Sequence, residues 1–532
     1  DRPCFKENKK SPSIEDKKTD SSTVPESVFL LSLLGTFHDG SIMDVESVLY
    51  FRNTAIINIG EVFEKKIREN ARKRWMLFLK VRQKFFNSLE GEGISANETL
   101  SILLPVIIDQ FFLVSFNFMN TAMISSSGAA AISAVNMVGS INIFLVQVFV
   151  AIGLGGTVLI SRTHGGGDHR QLGRLSGSVL HSTFLVGVLL MILFLVLHQF
   201  VLNLLFGQAD ATVMTNAKLY FIGILLSYPA HAIIEGINGS LRGLGFTQNS
   251  LKNSLFMNVM YIIGNLFFVI YLQLGIMGLI YSLLISRLSA VLFASYAFYL
   301  HKSDFRLKRS NIVTLDFSMI RYILTISLPF AAESFFFNGG KIIMQMMIVS
   351  LGTAHIAANA IAGSWIQLAE IIPSALATAL VPIVGQSVGR KNINDVKKLT
   401  NSFIRLAIIS IITVDLLLLP LFPFAMKLFN PPTEMIPIIF RMYLVAFVMH
   451  GIAWCYSFVL PSALRAVGDG KFTTTVSLIS MWLFRIGAGY LVGIQLGYGL
   501  VGIFVVMTIE WGIRGFIFYK RFSSNKWLEN LE

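Results

Sequence analysis

Long apolar stretches limit the fold of this chain more than any other feature of its sequence. A helix that crosses the hydrocarbon core of a bilayer needs about 20 mostly apolar residues. Strands of a membrane barrel would alternate in polarity over about ten residues, and no stretch does so. The long apolar stretches are 100–123, 130–160, 175–200, 214–236, 250–272, 276–300, 320–350, 355–386, 400–424, 434–460, 473–494 and 498–519. The sequence therefore predicts an all-α membrane protein with twelve transmembrane helices.

Composition agrees with this prediction. Of the 532 residues, 54% are hydrophobic and only 14% are charged, whereas soluble globular proteins carry about 25% charged residues. The net charge is +13, and residues 101–532 hold 27 basic against 15 acidic side chains. A positive balance within the most apolar part of a chain is typical of basic membrane loops. It does not indicate a nucleic-acid partner.

Basic residues alternate between the loops. They follow the second, fourth, sixth, eighth and tenth stretches and occur again at the C-terminus. Membrane proteins keep such loops in the cytoplasm, so we expect a multi-pass protein of the plasma (inner) membrane with both termini cytoplasmic. The basic loop residues are Arg162, Arg170, Arg174, Arg242, Lys302, Arg306, Lys308, Arg309, Arg390, Lys391, Lys397, Lys398, Arg465, Lys471, Lys520, Arg521 and Lys526.

Residues 1–99 differ from the rest and are predicted to form a polar, partly disordered cytoplasmic extension. Residues 6–26 are rich in Lys, Ser, Asp and Glu, a composition that buries too little apolar surface to fold. Residues 61–90 mix basic with large apolar side chains, which indicates a basic amphipathic helix on the membrane surface. A solvated cytoplasmic arm is the alternative for this segment.

An internal repeat divides the remaining chain. A shift of 224 residues places Pro105 on Pro329 and Asp109 on Glu333. Six stretches separate the copies, and since six is even, both halves cross the membrane in the same orientation. We therefore expect two pseudo-symmetric six-helix lobes, 100–318 and 319–532, the second with a short cytoplasmic tail. Two such lobes around a cleft are typical of an alternating-access transporter. The same shift also pairs Phe111, Phe112, Gly128, Gly139 and Gly165 with Phe335, Phe336, Gly352, Gly363 and Gly389.

Three motifs carry a resemblance to a known family. They are the first stretch, from Leu104-Pro105 to Asn120-Thr121-Ala122-Met123; the loop Leu464-Arg465-Ala466-Val467-Gly468-Asp469-Gly470; and Met481-Trp482-Leu483-Phe484-Arg485-Ile486. With these motifs the sequence resembles the multidrug and toxic compound extrusion (MATE) family over about residues 100–520. The resemblance implies a cation-coupled antiporter, driven by protons or sodium, that exports cationic amphipathic compounds. Related flippases share the two-lobe fold.

The chain departs from the family at the coupling carboxylates. Asn120 stands where many members have an Asp, and Phe337 stands where an acidic residue is common. The family's Asp in the tenth span has no match in the segment from His450 to Cys455. The family's coupling residues therefore cannot be transferred, and we expect other side chains to hold the ion.

Asp109 and Glu333 are the first candidates for ion coupling. Each lies four residues after a proline that can kink its helix, Pro105 or Pro329. A carboxylate at bilayer depth is costly and usually functional, and it could exchange a proton between the two membrane faces. A carboxyl group kept neutral for packing is the alternative.

Other polar residues within the stretches complete the predicted cavity. Asn117 and Asn120 share the helical face of Asp109, although amides also serve helix packing. Lys341 is the repeat counterpart of Asn117 and serves either as a switchable charge or as a counter-ion to Glu333. The last candidates for the cavity are Glu370, near the helix-bending Pro373, and Asp415.

Some charged residues are expected to be structural. Spacing of four residues favours local pairs between His231 and Glu235 and between Glu510 and Arg514. Arg287 and Arg485 are also expected to be structural. Arg242 and Arg465, next to loop glycines, are expected to anchor loops to lipid phosphate or helix C-termini without touching substrate. 

The predicted function is export of organic, cationic compounds by a cation-coupled antiporter, with the proton preferred to sodium, through a cavity rich in Phe and Met. A flippase for a lipid-linked precursor is one alternative, favoured if Lys341, Arg287 and Arg485 make the cleft positive. A passive channel or a non-transporting scaffold is another. The expected partners are small-molecule substrates, the coupling ion and membrane lipids, and the chain is expected to be monomeric. No enzymatic, zinc or cofactor motif is found. Gly165-Gly166-Gly167 lacks the lysine of a phosphate-binding loop.

Overall fold

A computed structural model describes residues 82–124, 129–207 and 210–530, together with a few positions between 70 and 80; side chains 117–124, 129 and 530 are outside this description. The chain divides after residue 82, and the second unit, residues 83–532, is compact. The predicted extension 1–99 and its amphipathic segment 61–90 lie largely outside the described residues and stay predictions. Within them, residues 82–89 are helical.

Twelve helical spans, α1 to α12, form the second unit. Eleven are single helices long and apolar enough to cross a bilayer, and α4 is a bent pair. In chain order they are Ala96–Ile124, Ala129–Gly165, His169–Phe206, Ala211–Leu226 with Tyr228–Gly243, Thr247–Tyr271, Gly275–Leu300, Phe317–Ser350, Thr353–Gly389, Ile393–Phe429, Thr433–Ala466, Gly470–Gln495 and Gly499–Ser523. The prediction of twelve spans is confirmed, since each predicted stretch lies on one of these spans.

Exposed apolar side chains mark the outer surface of the spans. On α3, Leu189, Val196 and Phe200 are 63%, 76% and 65% exposed, whereas the opposite face near its start is buried. A soluble protein rarely exposes a continuous apolar face of this kind. Lipid tails would cover it, as the sequence predicts.

One end of the molecule carries the loops 165–168, 243–246, 389–392 and 466–469, and we call it the basic-loop end. Capping residues begin several of the spans at this end. Asp168 accepts a hydrogen bond from the Gln171 amide at 3.0 Å. Asp316 caps α7, and the Ser318 hydroxyl, with the Arg174 guanidinium and the Met319 amide, lowers the pKa of its carboxyl to about 2. Such caps satisfy amides that a helix start leaves free.

The fourth span is broken and bent by 45° between its two helices. Pro229 lies in the first turn of the second helix, where the absence of an amide proton costs little. Ser227 separates the two helices, and its hydroxyl donates to the Ile224 carbonyl at 2.5 Å. The single stretch predicted at 214–236 is therefore two helical segments.

Close backbone contacts at the basic-loop end show the two-fold relation between the lobes. A Cβ atom on Gly165 of α2 would overlap the carbonyl of Gln386 on α8, and one on Gly389 would overlap the carbonyl of Arg162. Residues 165 and 389, like 162 and 386, are 224 apart, so the two contacts are repeat copies of one another. The loops agree, because Gly245 and Gly468 both adopt positive φ, 90° and 88°. The pseudo-symmetric two-lobe prediction is confirmed.

Contacts between loops hold the same end together across the lobes. Arg162 of α2 donates from Nε to the carbonyl of Ala466 at 2.7 Å. Asp395 of α9 is buried, and its carboxylate accepts from the amides of Glu92 and Gly93 at 2.7 and 2.8 Å. These contacts connect α2 and the segment before α1 to the second lobe.

Candidate functional site

A cavity of about 320 Å³ lies where α2 of the first lobe meets α7, α10, α11 and α12 of the second. The volume is at the lower end of the range that small-molecule sites occupy. Most of the lining comes from the second lobe. The lining residues are Gln147, Val150, Ala151, Leu154, Phe330, Glu333, Ser334, Phe337, Asn338, Lys341, Ser457, Phe458, Pro461, Arg465, Ser477 and Arg514.

The charged side chains of this lining are mostly basic. Lys341, Arg465 and Arg514 carry positive charge, and Glu333 is the one acidic residue among them. Glu333 is already paired, because its carboxylate accepts from Arg465 Nη2 at 2.7 Å and from the Thr474 hydroxyl at 3.2 Å. The lining therefore keeps two positive charges that no lining carboxylate balances.

A second layer of charge supports this site. Glu510 is completely buried and lies 2.6 Å from Arg485 and 3.1 Å from Arg514. The Ser480 hydroxyl donates to the same carboxylate at 2.8 Å, and Arg514 Nε donates to Ser457 at 2.6 Å. One carboxylate thus serves two guanidinium groups, so the lining and this layer together hold four cations, Lys341, Arg465, Arg485 and Arg514, against the two carboxylates Glu333 and Glu510.

Each phenyl ring of the lining faces a cation of the protein itself. Phe337 has Lys341 Nζ at 4.9 Å and the Arg485 guanidinium at 5.1 Å from its ring centre. Aromatic faces bind cations within about 6 Å. The other two pairs are Arg465 with Phe330 at 5.7 Å and Arg514 with Phe458 at 4.5 Å.

Two guanidinium groups of the cavity each have a hydrogen-bond donor without an acceptor among the described residues. Among the described residues, Arg465 Nε and Arg514 Nη2 are buried without a hydrogen-bond partner. Buried polar atoms in native proteins nearly always have a partner, so unpaired donors at a cavity call for an explanation. A carboxylate or phosphate oxygen is the acceptor that a guanidinium group binds most strongly.

The predicted candidates Glu333 and Lys341 both lie in this cavity. Arg465, which was expected to anchor the loop, lies there too, and its guanidinium group donates to Glu333. It is placed one turn before the positive-φ Gly468, and from there it reaches back to Glu333. Arg514 pairs with Glu510 as its spacing predicted, yet it also lines the cavity.

Asp109 lies in the first lobe, outside the cavity lining, where it faces Arg242 and Glu235 of α4 and Ser254 of α5. Arg242 is 3.6 Å from Glu235, so Glu235 pairs with it and not with His231 as predicted. Asp109 corresponds to Glu333 by the 224-residue shift and Arg242 to Arg465 by a shift of 223, but Arg242 forms its salt bridge with Glu235, whereas Arg465 forms one with Glu333.

Glu370 and Asp415 meet at a residue that the sequence reading passed over. His450 of α10 is completely buried, with Nδ1 2.8 Å from Asp415 and Nε2 3.6 Å from Glu370. No sequence spacing connects these three residues, because they come from three different helices. The signal that could have found them was a histidine within an apolar stretch.

The remaining predicted residues are placed as follows. Pro105, Pro329 and Pro373 lie inside α1, α7 and α8, and their predicted role as helix kinks stays a prediction. Asn117 and Asn120 lie on α1, but their side chains are outside the described residues, so their predicted role stays a prediction. 

Arg287, which the flippase alternative would place in the cleft, is buried in the first lobe. It donates there to the Ser227 hydroxyl at the break in α4. Arg485 lies outside the cavity lining, where its guanidinium group contacts the ring of Phe337 and the carboxylate of Glu510. Of the three basic residues in that alternative, Lys341 alone lines the cavity.

Comparison with known proteins identifies the family. Residues 105–267 and 329–491 each match the family model MatE. The two matches begin 224 residues apart, the interval of the internal repeat, and together they span more than half of the chain. The chain therefore belongs to the MATE family of membrane transporters, as the sequence motifs predicted.

Relatives agree with this assignment. The uncharacterized transporter YisQ of Bacillus subtilis (strain 168) is 21% identical over 435 residues, which cover 81% of this chain and 94% of YisQ. The probable multidrug resistance protein NorM of Thermotoga maritima is 23% identical over 464 residues, which cover 83% of this chain and 96% of NorM.

Solved structures share the fold. A MATE crystal structure in the bent conformation matches with a TM-score of 0.76 at 16% identity, over 84% of this chain and 99% of that one. A MOP superfamily transporter from Pyrococcus furiosus matches with a TM-score of 0.75 at 16% identity, with the same coverage. Its description states that reverse polarity of its binding pocket suggests a different function.

Proposed function

We propose that this transporter carries small organic compounds that bear an anionic group, by alternating access of the cavity between its lobes. The observation that carries the proposal is the lining, in which Lys341, Arg465 and Arg514 face a single carboxylate, Glu333. In a site of low dielectric constant, uncompensated charge of one sign attracts ligands of the other sign strongly.

The same lining argues against a cationic substrate, which the family resemblance implies. A cation needs a free carboxylate or a free aromatic face. Glu333 is occupied by Arg465 and Thr474, and the rings of Phe330, Phe337 and Phe458 already face cations of the protein. The reverse pocket polarity described for the Pyrococcus furiosus transporter is a parallel case on the same fold.

Size and polarity further define the substrate class. About 320 Å³ accommodates a small amphipathic molecule. Val150, Ala151, Leu154 and Pro461 offer apolar surface beside the cations. An aromatic or aliphatic acid with one carboxylate fits both features.

Transport of two naphthalene compounds of similar size and opposite charge tests the proposal. Purified protein in liposomes is loaded with unlabelled 1-naphthaleneacetate, and entry of the labelled compound by exchange is followed at equal pH on both sides. We expect saturable exchange of 1-naphthaleneacetate and little exchange of 1-naphthylmethylammonium. Exchange of the ammonium compound alone would contradict the proposal.

Lys341→Gln is the diagnostic variant. Lys341 is exposed in the cavity, and it forms no salt bridge within the described residues, so its replacement removes one positive charge without exposing a buried partner. A hydrogen bond to a charged group contributes about 1.5 to 3 kcal/mol, so we expect the half-saturation concentration of 1-naphthaleneacetate to rise about tenfold or more. Lys252→Gln, at an exposed site on α5, should leave it unchanged. Equal effects of the two variants would rule out a role for Lys341 in binding.

A lipid-linked anionic precursor is the second candidate, because the same positive charges would bind its head group. The exchange assay separates the two candidates. A flippase would leave free 1-naphthaleneacetate outside the vesicles and would instead move an anionic short-chain fluorescent lipid between leaflets.

A further inference from the structure

A buried cluster of titratable side chains lies beside the substrate cavity in the second lobe. His450 begins a π-helical turn, His450–Trp454, in the middle of α10. Its Nδ1 is 2.8 Å from Asp415 Oδ2 on α9, and its Nε2 is 3.6 Å from Glu370 Oε1 on α8. Single π-helical turns inside α-helices are frequent at functional sites.

Aromatic rings enclose the imidazole. Trp511 of α12 stacks on it, with ring centres 6.2 Å apart and planes at 16°, and Trp454 meets it edge-on at 6.3 Å. His450 and Asp415 are both 0% exposed. Within the described chain, the charged groups that face His450 are Asp415 and Glu370, while α12 presents only the ring of Trp511.

The cluster has room for one more proton. Among the described side chains, His450 Nε2 and Asp415 Oδ1 are buried and lack a hydrogen-bond partner. If Nδ1–H donates to Asp415, as their separation of 2.8 Å favours, Nε2 presents a lone pair toward Glu370. A cluster that served packing alone would satisfy these atoms, because unpaired polar groups are costly in a medium of low dielectric constant.

Glu370 connects the cluster to the cavity. Its side chain is 23% exposed, whereas His450 and Asp415 are fully buried. The Glu370 carboxylate also attracts the ammonium group of Lys341, which lines the substrate cavity. A change of charge in the cluster therefore changes the electrostatic potential at Lys341, a residue of the proposed substrate site.

We propose that His450, Asp415 and Glu370 form the site that carries the coupling proton. A proton that arrives on Glu370 Oε1 passes to the lone pair of His450 Nε2 and leaves an imidazolium between two carboxylates; release reverses these steps. Glu333 is less suited to this task, since its carboxylate is already held by Arg465 at 2.7 Å and by the Thr474 hydroxyl. The cluster joins an imidazole, which exchanges protons near neutral pH, to two carboxylates, and we therefore assign the proton as its ligand.

The sign of the coupling follows from the charges and rests on the proposed anionic substrate. A bound proton makes the cluster less negative, so the electrostatic potential around Lys341 becomes more positive and attracts an anion more strongly. Proton and anion therefore favour each other's binding. We expect the affinity for 1-naphthaleneacetate to rise fivefold or more as pH falls between about 8 and 5, within the usual range of coupling between sites.

The test compares His450→Gln with His231→Gln, which removes a buried histidine of the first lobe whose ring lies against Phe149. Binding of 1-naphthaleneacetate is measured across this pH range, together with exchange at equal pH and accumulation driven by a pH gradient. We expect His450→Gln to exchange the compound but to lose both the pH dependence of binding and the accumulation. His231→Gln should behave as wild type. Wild-type accumulation and pH dependence in His450→Gln would overturn the proposal.

Tryptophan fluorescence provides a readout that needs no substrate. Because Trp511 stacks on His450, protonation of the imidazole should quench its emission, and the pH transition should be absent from His450→Gln. If the wild type shows this transition but neither binds nor exchanges 1-naphthaleneacetate, the substrate class is wrong and the proton site stands. A transition that persists in His450→Gln overturns the site. If His450→Gln does not fold, Glu370→Gln, at the partly exposed edge of the cluster, decides by the same transport measurements.

Discussion

One set of buried charges in this protein has a carboxylate at its centre. Glu510 lies between Arg485 and Arg514, at 2.6 and 3.1 Å, and all three residues are nearly inaccessible. A pair of this kind gains little net stability compared with apolar residues, but loss of one partner leaves a buried charge uncompensated. The set therefore fixes the position of Arg514 at the cavity wall more than it stabilises the fold.

Replacement of Glu510 by Gln should destabilise the protein strongly. Two guanidinium groups would then face each other without an anion, and removal of one partner of a buried pair costs about 3 to 5 kcal/mol. Chemical denaturation in detergent measures this loss. Arg174→Gln, which removes the exposed partner of Asp316, is the control and should change the free energy of unfolding by about 1 kcal/mol or less. Equal losses in both variants would show that Glu510 does not hold the set together.

The helices α2 and α8 are repeat counterparts, and they cross each other on the axis that relates the two lobes. Gly165 and Gly389 allow their backbones to touch at the basic-loop end, and Arg162 fastens α2 to the loop after α10. An alternating-access transporter must separate these helices when that end opens. The close contact therefore belongs to the state in which the basic-loop end is closed.

A larger side chain at this crossing should prevent closure. Gly389→Val would force the valine Cβ against the Arg162 carbonyl, whereas a Cβ atom at Gly363 on the same helix meets nothing within 4 Å. We expect Gly389→Val to abolish 1-naphthaleneacetate exchange and to lengthen the distance between spin labels at the exposed positions His169 and Ile393. Gly363→Val should do neither. An unchanged label distance in Gly389→Val would mean that the crossing tolerates the side chain.

The elements also show what sequence could and could not predict. Span positions follow from apolar length alone, and the 224-residue register follows from pairs such as Gly165 and Gly389, so both were accessible. Lys341 was found because an isolated charge in an apolar stretch is conspicuous. His450 was missed because its partners Asp415 and Glu370 come from other helices, and such contacts depend on packing that a linear pattern does not contain.

At the scale of the whole molecule, the two lobes carry equivalent charged residues but pair them differently. Arg242 forms a salt bridge with Glu235 in the first lobe and Arg465 forms one with Glu333 in the second, and the described cavity is lined mainly by the second lobe. There the extra cations Lys341 and Arg514 make the lining positive. The proposed anion site and the proposed proton site therefore both lie in the second lobe.

Equilibrium dialysis of the purified wild-type protein against 1-naphthaleneacetate and 1-naphthylmethylammonium tests the central claim, the charge selectivity of the cavity, most directly. The measurement needs no gradient and no assumption about direction of transport. With an excess of two positive charges in the lining and the layer behind it, we expect the carboxylate to bind at least about tenfold more tightly than the ammonium compound, a difference of about 1.4 kcal/mol. Equal binding, or tighter binding of the ammonium compound, would contradict the account.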